Sequence, residues 1–140
     1  MASQVDRSHP GVAAKRWPVM QELARRPLLA DGAMGTELYR LSGHIPGCFD
    51  AFNLHRRDLV EQVHLDYLRA GADVIQTNTF GATAPRLESY GLADKVWEIN
   101  VWGVKLARQA REIAGEPAWV AGSIGPLGRL AQDAIDEDEA

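Results

Sequence analysis

Hydrophobic positions in this chain alternate between two periods, and the alternation predicts its elements. Val60, Val63, Tyr67 and Leu68 fall three or four residues apart, the spacing of one helix face. Gly71 follows where a left-handed C-terminal cap belongs. The β-branched run Ala72-Asp73-Val74-Ile75-Gln76-Thr77 then predicts a strand, ending at Asn78-Thr79-Phe80-Gly81. Helical spacing returns from about Asp94 to Ala114, with Val96, Ile99, Gly103, Leu106, Ala110 and Ile113 on one face and Gly115 at the end. Ala118-Trp119-Val120-Ala121 is the next strand and runs into Gly122-Ser123-Ile124-Gly125-Pro126-Leu127-Gly128.

Upstream the pattern is weaker. Residues 1–13 are polar, are broken by Pro10-Gly11 and read as a loose leader. Residues 19–26 read as a helix with Met20 and Leu23 facing one way, closed by Pro27. Leu28-Leu29-Ala30 is a short buried-strand signal leading into the turn at Asp31-Gly32, and Thr36 to Asn53, with Gly43, Pro46 and Gly47, reads as connection. The expected organisation is a leader and N-terminal helix over 1–27, a βα-repeat body over 28–130, and an acidic segment over 131–140 that is either a solvated tail or the start of a helix. Two consecutive βαβ crossovers demand a parallel α/β sheet, which either a doubly wound sheet or a (β/α)8 TIM barrel satisfies. A whole barrel takes about 250 residues. The expectation is therefore about three βα units at the front of something larger.

Composition narrows the function. A net charge of -4 offers no basic surplus for nucleic acid or an anionic membrane. No apolar run approaches the roughly 20 residues needed to span a bilayer. One cysteine, Cys48, excludes an intrachain disulfide, and with no signal-peptide pattern at the N-terminus the expected setting is cytoplasmic. His55 and His64 are nine residues apart and do not form a metal-ligand pair; the histidines are expected to face solvent or bond locally. Cys48 reads as a lone thiol, with no partner to make it a nucleophile or metal ligand. The tryptophans at 97, 102 and 119 are expected to pack helix against strand, and Trp17 to cover the bottom of the sheet.

Candidate chemistry lies at the strand ends, since parallel α/β folds bind ligands where loops leave the carboxyl ends of their strands. In Asp31-Gly32-Ala33-Met34-Gly35-Thr36 a carboxylate is followed by small residues, so a cation can sit on Asp31 while backbone N–H groups stay open to an anion. That pairing suits an amino acid, although Asp31 as a plain turn cap fits equally well on spacing alone. Asn78 and Thr79 supply neutral hydrogen bonds at the second strand end and Phe80 an apolar surface; as isolated residues they are ordinary turn formers. The third loop, Gly122 to Gly128, looks like a phosphate cradle, but its glycines do not follow GxGxxG and no Lys follows them.

In order, Leu29-Ala30-Asp31-Gly32-Ala33-Met34-Gly35-Thr36-Glu37-Leu38, Cys48-Phe49-Asp50-Ala51-Phe52-Asn53-Leu54, Tyr67 through Phe80 and Gly122 through Gly128 together resemble the homocysteine S-methyltransferase family. The resemblance covers about residues 28–130 and chooses the TIM barrel over the doubly wound sheet. It implies a methyltransferase that forms methionine by methylating homocysteine. Asp31 would hold the substrate amino group, and the N–H groups of Gly32 and Ala33 its carboxylate. Asn78 and Thr79 would belong to the pocket, with Gly122 and Ser123 shaping its wall. The family also implies a zinc that activates the homocysteine sulfur through three late cysteines, none of which is in this chain, so no catalytic or metal residue is expected here. The methyl donor, methylcobalamin or methyltetrahydrofolate among others, is not legible. The family's usual Asp-Glu-Leu-Asn reads Asp50-Ala51-Phe52-Asn53 here, and Arg57 replaces a common proline. Homocysteine and the remainder of the barrel are the expected partners. Two other readings stand beside this one: a non-catalytic segment that works only by docking with a complementing barrel part, and a phosphate-binding barrel of another family.

Overall fold

A computed structural model describes residues 18–43 and 47–127. The polar leader, Trp17, His44, Gly128 and the acidic segment 131–140 lie outside the described residues. In chain order the elements are α1 (Pro18–Leu23), α2 (Met34–Ser42), α3 (Phe52–His55), α4 (Arg57–Arg69), β1 (Val74–Gln76), α5 (Ala84–Glu88), a 3₁₀ turn (Ala93–Lys95), α6 (Val96–Ala114) and β2 (Trp119–Ala121).

The sheet is parallel, with Val74 opposite Trp119, Ile75 opposite Val120 and Gln76 opposite Ala121. The expected first strand is reduced to one parallel bridge, Ala30 to Val74. Around it the Asp31 N–H donates to the Val74 carbonyl (2.8 Å), and the Leu29 carbonyl accepts from Asp73 and Val74. β1 thus sits between the 29–31 segment and β2, an order compatible with either parallel architecture.

Two long helices cover this sheet because their apolar faces point the same way. Leu65 and Leu68 of α4 and Ala107 and Ala110 of α6 close with Ala72, Ile75 and Ala118 into one buried cluster. The alanines let the helices approach closely, and burying Ile75 alone contributes about 1.5–3 kcal/mol. Gly71 (φ 95°) and Gly115 (φ 68°) adopt the left-handed conformation that stops each helix without a Cβ clash. Ile113, expected on the inner face of α6, is exposed.

The stretch expected to be mostly connection holds two helices. Met34, Leu38 and Leu41 are spaced for one face of α2, and pack with Phe52, Val60, Val63 and Leu106 into a second cluster. The helix stops at Gly43, whose N–H caps the Tyr39 carbonyl (2.9 Å). α1 ends at Leu23, yet the Arg26 N–H still reaches the Glu22 carbonyl (3.0 Å), so the chain stays coiled up to Pro27. Arg26 then forks onto Asp73 (2.9 and 2.8 Å), which also accepts the Leu29 N–H, and the carboxyl group of Asp73 is held down to about 2 by Arg26.

Two expectations about single residues fail. Trp97 is 76% exposed rather than packed on the sheet, while Trp102 lies under the Arg57 guanidinium (3.3 Å to the ring centroid). His64 neither faces solvent nor bonds locally: it is 0% exposed on α4, and neither ring nitrogen has a hydrogen-bond partner. Among the described residues no helix is long and apolar enough to cross a membrane.

Candidate functional site

The carboxyl ends of the strands open into a recess of about 450 Å³. The loop after Ala30 supplies Asp31, Gly32, Ala33, Met34 and Gly35, and the approach to α3 supplies Gly47 to Asp50. Gln76, Thr77, Asn78, Phe80 and Gly81 come from the end of β1, Ser123 from the end of β2, and Arg86 and Tyr90 from α5 and its exit. Five of the residues singled out in the sequence therefore meet here: Asp31, Gly32, Ala33, Asn78 and Ser123. Thr79 and Gly122 do not line the recess.

Asp31 continues the sheet with its side chain. Its Oδ2 accepts the Gln76 N–H (2.8 Å) and its Oδ1 the Gln76 Nε2 (3.2 Å). A carboxylate has about four acceptor positions, so these bonds leave two open toward the recess. Burial raises the Asp31 pKa, and its hydrogen bonds from Gln76 only partly offset that. Beside it the N–H groups of Gly32 and Ala33 make no hydrogen bond within the described residues, and Ala33 opens α2 without a side-chain cap. Tyr67 supports the loop from behind by donating its hydroxyl to the Ala33 carbonyl (3.1 Å), and a Cβ on Gly32 would fall 2.9 Å from that hydroxyl. The turn thus presents a carboxylate and unspent N–H donors side by side, at a helix N-terminus that favours negative charge.

Thr79 works one layer down. The Ser123 N–H donates to Thr77 Oγ1 (3.0 Å), and Thr79 Oγ1 donates to the Ser123 carbonyl (2.8 Å). The two hydroxyls are 2.7 Å apart. Each hydroxyl has one proton, and that of Thr79 is spent on Ser123, so Thr77 is the donor between them. The result is a directed ring that ties the second strand end to the third. It also occupies the Ser123 N–H, which a phosphate cradle at this loop would need free.

Asn78 and Asn53 lock the other side. Asn53 Nδ2 donates to the carbonyls of Asn78 (2.7 Å) and Ile99 (3.1 Å), and Asn78 Nδ2 donates to Asn53 Oδ1 (3.1 Å) and the Phe49 carbonyl (2.9 Å). Gly103 of α6 makes room for this: a Cβ there would lie 2.5 Å from Thr79 Cγ2 and 2.9 Å from Asn53 Nδ2. Asn53 stood in a quoted motif but not among the site residues. Its signal was an amide inside an otherwise apolar run.

Asp50 and Arg86, which the sequence does not single out as site residues, line the recess as well, together with the lone thiol of Cys48. Asp50 Oδ1 accepts the Gly81 N–H (2.9 Å), its Oδ2 lies 3.8 Å from Cys48 Sγ, and burial raises its pKa. The Cys48 thiol is buried and likewise pushed up, chiefly by desolvation, which keeps it protonated and a poor nucleophile at neutral pH. The family resemblance implies zinc, but the described residues do not fit one: no group of three or more His, Cys, Asp or Glu side chains is placed to hold a metal ion.

A parallel α/β segment with a recess of mixed polar and apolar lining at the carboxyl ends of its strands has the form of a small-ligand-binding unit. Comparison with known proteins says which kind. The homocysteine S-methyltransferase family model matches residues 28–140, and the chain belongs to that family. It is 34% identical over 121 residues to the methionine synthase of Mycobacterium tuberculosis and 35% identical over 121 residues to that of Mycobacterium leprae. Each match covers 80% of this chain and 10% of the relative. Among solved structures, the homocysteine methyltransferase MmuM from Escherichia coli matches in its metallated form with a TM-score of 0.67 at 35% identity, and in its oxidized form with 0.69 at 34%. These alignments cover 79% and 81% of this chain and 42% of the MmuM chain. The chain therefore spans well under half the length of these relatives.

Proposed function

We propose that this chain forms the amino-acid-binding front of a (β/α)8 barrel that transfers a methyl group to the sulfur of homocysteine, giving methionine. The observation that carries the reading is the Asp31 carboxylate, with acceptor positions open to the recess, next to the unbonded N–H groups of Gly32 and Ala33. An α-amino acid carries an ammonium and a carboxylate on one carbon, and this turn offers a partner for each. Asn78 shapes the pocket floor, Thr79 and Ser123 hold the third loop against it, and Gly122 leads the chain from β2 into that loop. Family membership and the MmuM likeness support the barrel. In this reading a zinc, which none of the described residues would hold, would favour the thiolate of the substrate sulfur, the methyl donor is methylcobalamin or methyltetrahydrofolate, the setting is cytoplasmic, and the rest of the barrel is the partner.

Calorimetric titration of L-homocysteine into the intact protein, with and without Asp31→Asn, tests the reading. The substitution keeps an acceptor for the Gln76 N–H, removes the charge and turns the other oxygen into an NH2 donor, which the Gln76 side-chain amide can meet by presenting its Oε1. Affinity should fall about 10- to 100-fold, as for loss of a charged hydrogen bond. Equal affinity for both proteins, or no binding to the wild type, overturns the assignment.

A further inference from the structure

One group in the recess has chemistry that the amino-acid reading leaves unused. Arg86 is half-buried and lines the same recess as Asp31, where it is the only cation among the described lining residues. Among the described residues no carboxylate lies within ion-pair distance of its guanidinium. Asp50 is the nearby acid and feels the Arg86 charge, which lowers its pKa, but its oxygens bond the Gly81 N–H (2.9 Å) and Cys48 Sγ (3.8 Å) and leave the guanidinium's donors unspent. The guanidinium carbon stands 5.9 Å from the centre of the Phe80 ring, which is 54% exposed at the mouth. By contrast Arg26 and Arg40 are spent on carboxylates, and Arg57 on Trp102 and the Asn53 carbonyl. A half-buried guanidinium has lost part of its hydration and retains five N–H donors in a planar fork that matches a carboxylate.

We propose that Arg86 is a specificity-determining residue of this recess and binds the carboxylate of a substrate. The inference rests on the methyltransferase reading and adds a charged partner for an anion to the neutral N–H groups of Gly32 and Ala33. Two molecules can bring the carboxylate: the acceptor amino acid, whose carboxylate would be shared between Arg86 and the Gly32 and Ala33 N–H groups, or an acidic methyl donor approaching across Phe80.

The test uses the intact protein with Arg86→Gln and Arg86→Lys. Binding of L-homocysteine is compared with binding of 3-aminopropanethiol, its carboxylate-free counterpart, and the KM for methyltetrahydrofolate, an acidic donor, is measured in turnover. If the acceptor supplies the carboxylate, Arg86→Gln weakens homocysteine about 10- to 100-fold, leaves 3-aminopropanethiol within about twofold, and Arg86→Lys recovers part of the loss. If the donor supplies it, homocysteine binding is unchanged and the donor KM rises by that factor. The proposal is overturned if neither quantity moves, or if 3-aminopropanethiol weakens as much as homocysteine, which would mark a structural role. Failure of the underlying reading looks different, because then wild-type protein and Asp31→Asn would already bind homocysteine alike or not at all.

Discussion

Consider the stability of the protein to urea as the pH is lowered from about 7 to about 4, with His64 as the group in question. Its ring is wholly buried on α4, neither nitrogen has a partner, and desolvation lowers its pKa from 6.5 to about 4. The unfolded chain therefore takes up a proton near pH 6.5 that the folded chain refuses until about pH 4. Stability is undiminished above the unfolded value and is lost as the pH falls toward the folded one. At about 1.4 kcal/mol per pH unit, the difference between 6.5 and about 4 amounts to roughly 3 kcal/mol. That is a large share of the 5–15 kcal/mol that holds a typical domain together. Asp31 and Asp50, whose pKa values are raised, act in the opposite sense within the acid range, so the informative quantity is the difference between wild type and His64→Leu. Urea unfolding followed by tryptophan fluorescence should show that the variant loses about 3 kcal/mol less on acidification. It should also gain stability at neutral pH, since an unpartnered polar ring gives way to an apolar side chain of similar size. Parallel pH profiles for the two proteins, or a His64 ring resonance titrating near 6.5 in the folded state, would refute the reasoning.

Three further outcomes follow from the packing behind the recess. Gly103→Ala drives a methyl group into Thr79 and Asn53 and should cost about 1–3 kcal/mol, read as a lower urea midpoint; an unchanged midpoint would mean that α6 is free to shift. Thr79→Val keeps the shape but deprives the Ser123 carbonyl of its donor, with an expected loss of about 1–3 kcal/mol. Hydrogen exchange at the Ser123 amide should accelerate in that variant, and unaltered exchange would deny the ring any part in holding the loops together. Finally, homocysteine affinity should decline on acidification through the raised pKa of Asp31, because protonation of Asp31 removes the charge that the ammonium needs. Calorimetry across that range should give a flat profile for Asp31→Asn, and a wild-type profile equally flat would count against the ammonium contact.

The parts of the fold legible in the sequence are those where local period and core direction agree. α4 and α6 announce themselves because each buries one regular face and stops at a glycine, and the strands because short apolar runs follow those glycines. α2 was obscured by its own start: Gly35 and Thr36 are poor helix formers and sit inside a turn motif, although Met34, Leu38 and Leu41 carry helical spacing. α5 is a single short helix of five residues, too short for any period to show. At the recess, the strand-end rule pointed to the loops that carry Asp31, Asn78 and Ser123, the family resemblance assigned the three to one pocket, and all three line the recess. The rule was silent on Asp50, Arg86 and Asn53, whose positions depend on partners 25 to 46 residues away or on which wall of the recess α5 joins. The burial of His64 was invisible for the same reason. A histidine on a helix reads as polar until the neighbouring helix is known to close over it.

The bond from the Gln76 N–H to Asp31 Oδ2 has one more consequence. A backbone amide in a strand ordinarily senses only its sheet neighbour, but here it points at an ionisable oxygen. Whatever alters the charge on Asp31, a proton or a docked ammonium, alters the field along that amide bond. The strand therefore carries a native spectroscopic label: the Gln76 amide resonance should record occupancy of the recess without any dye, tag or turnover.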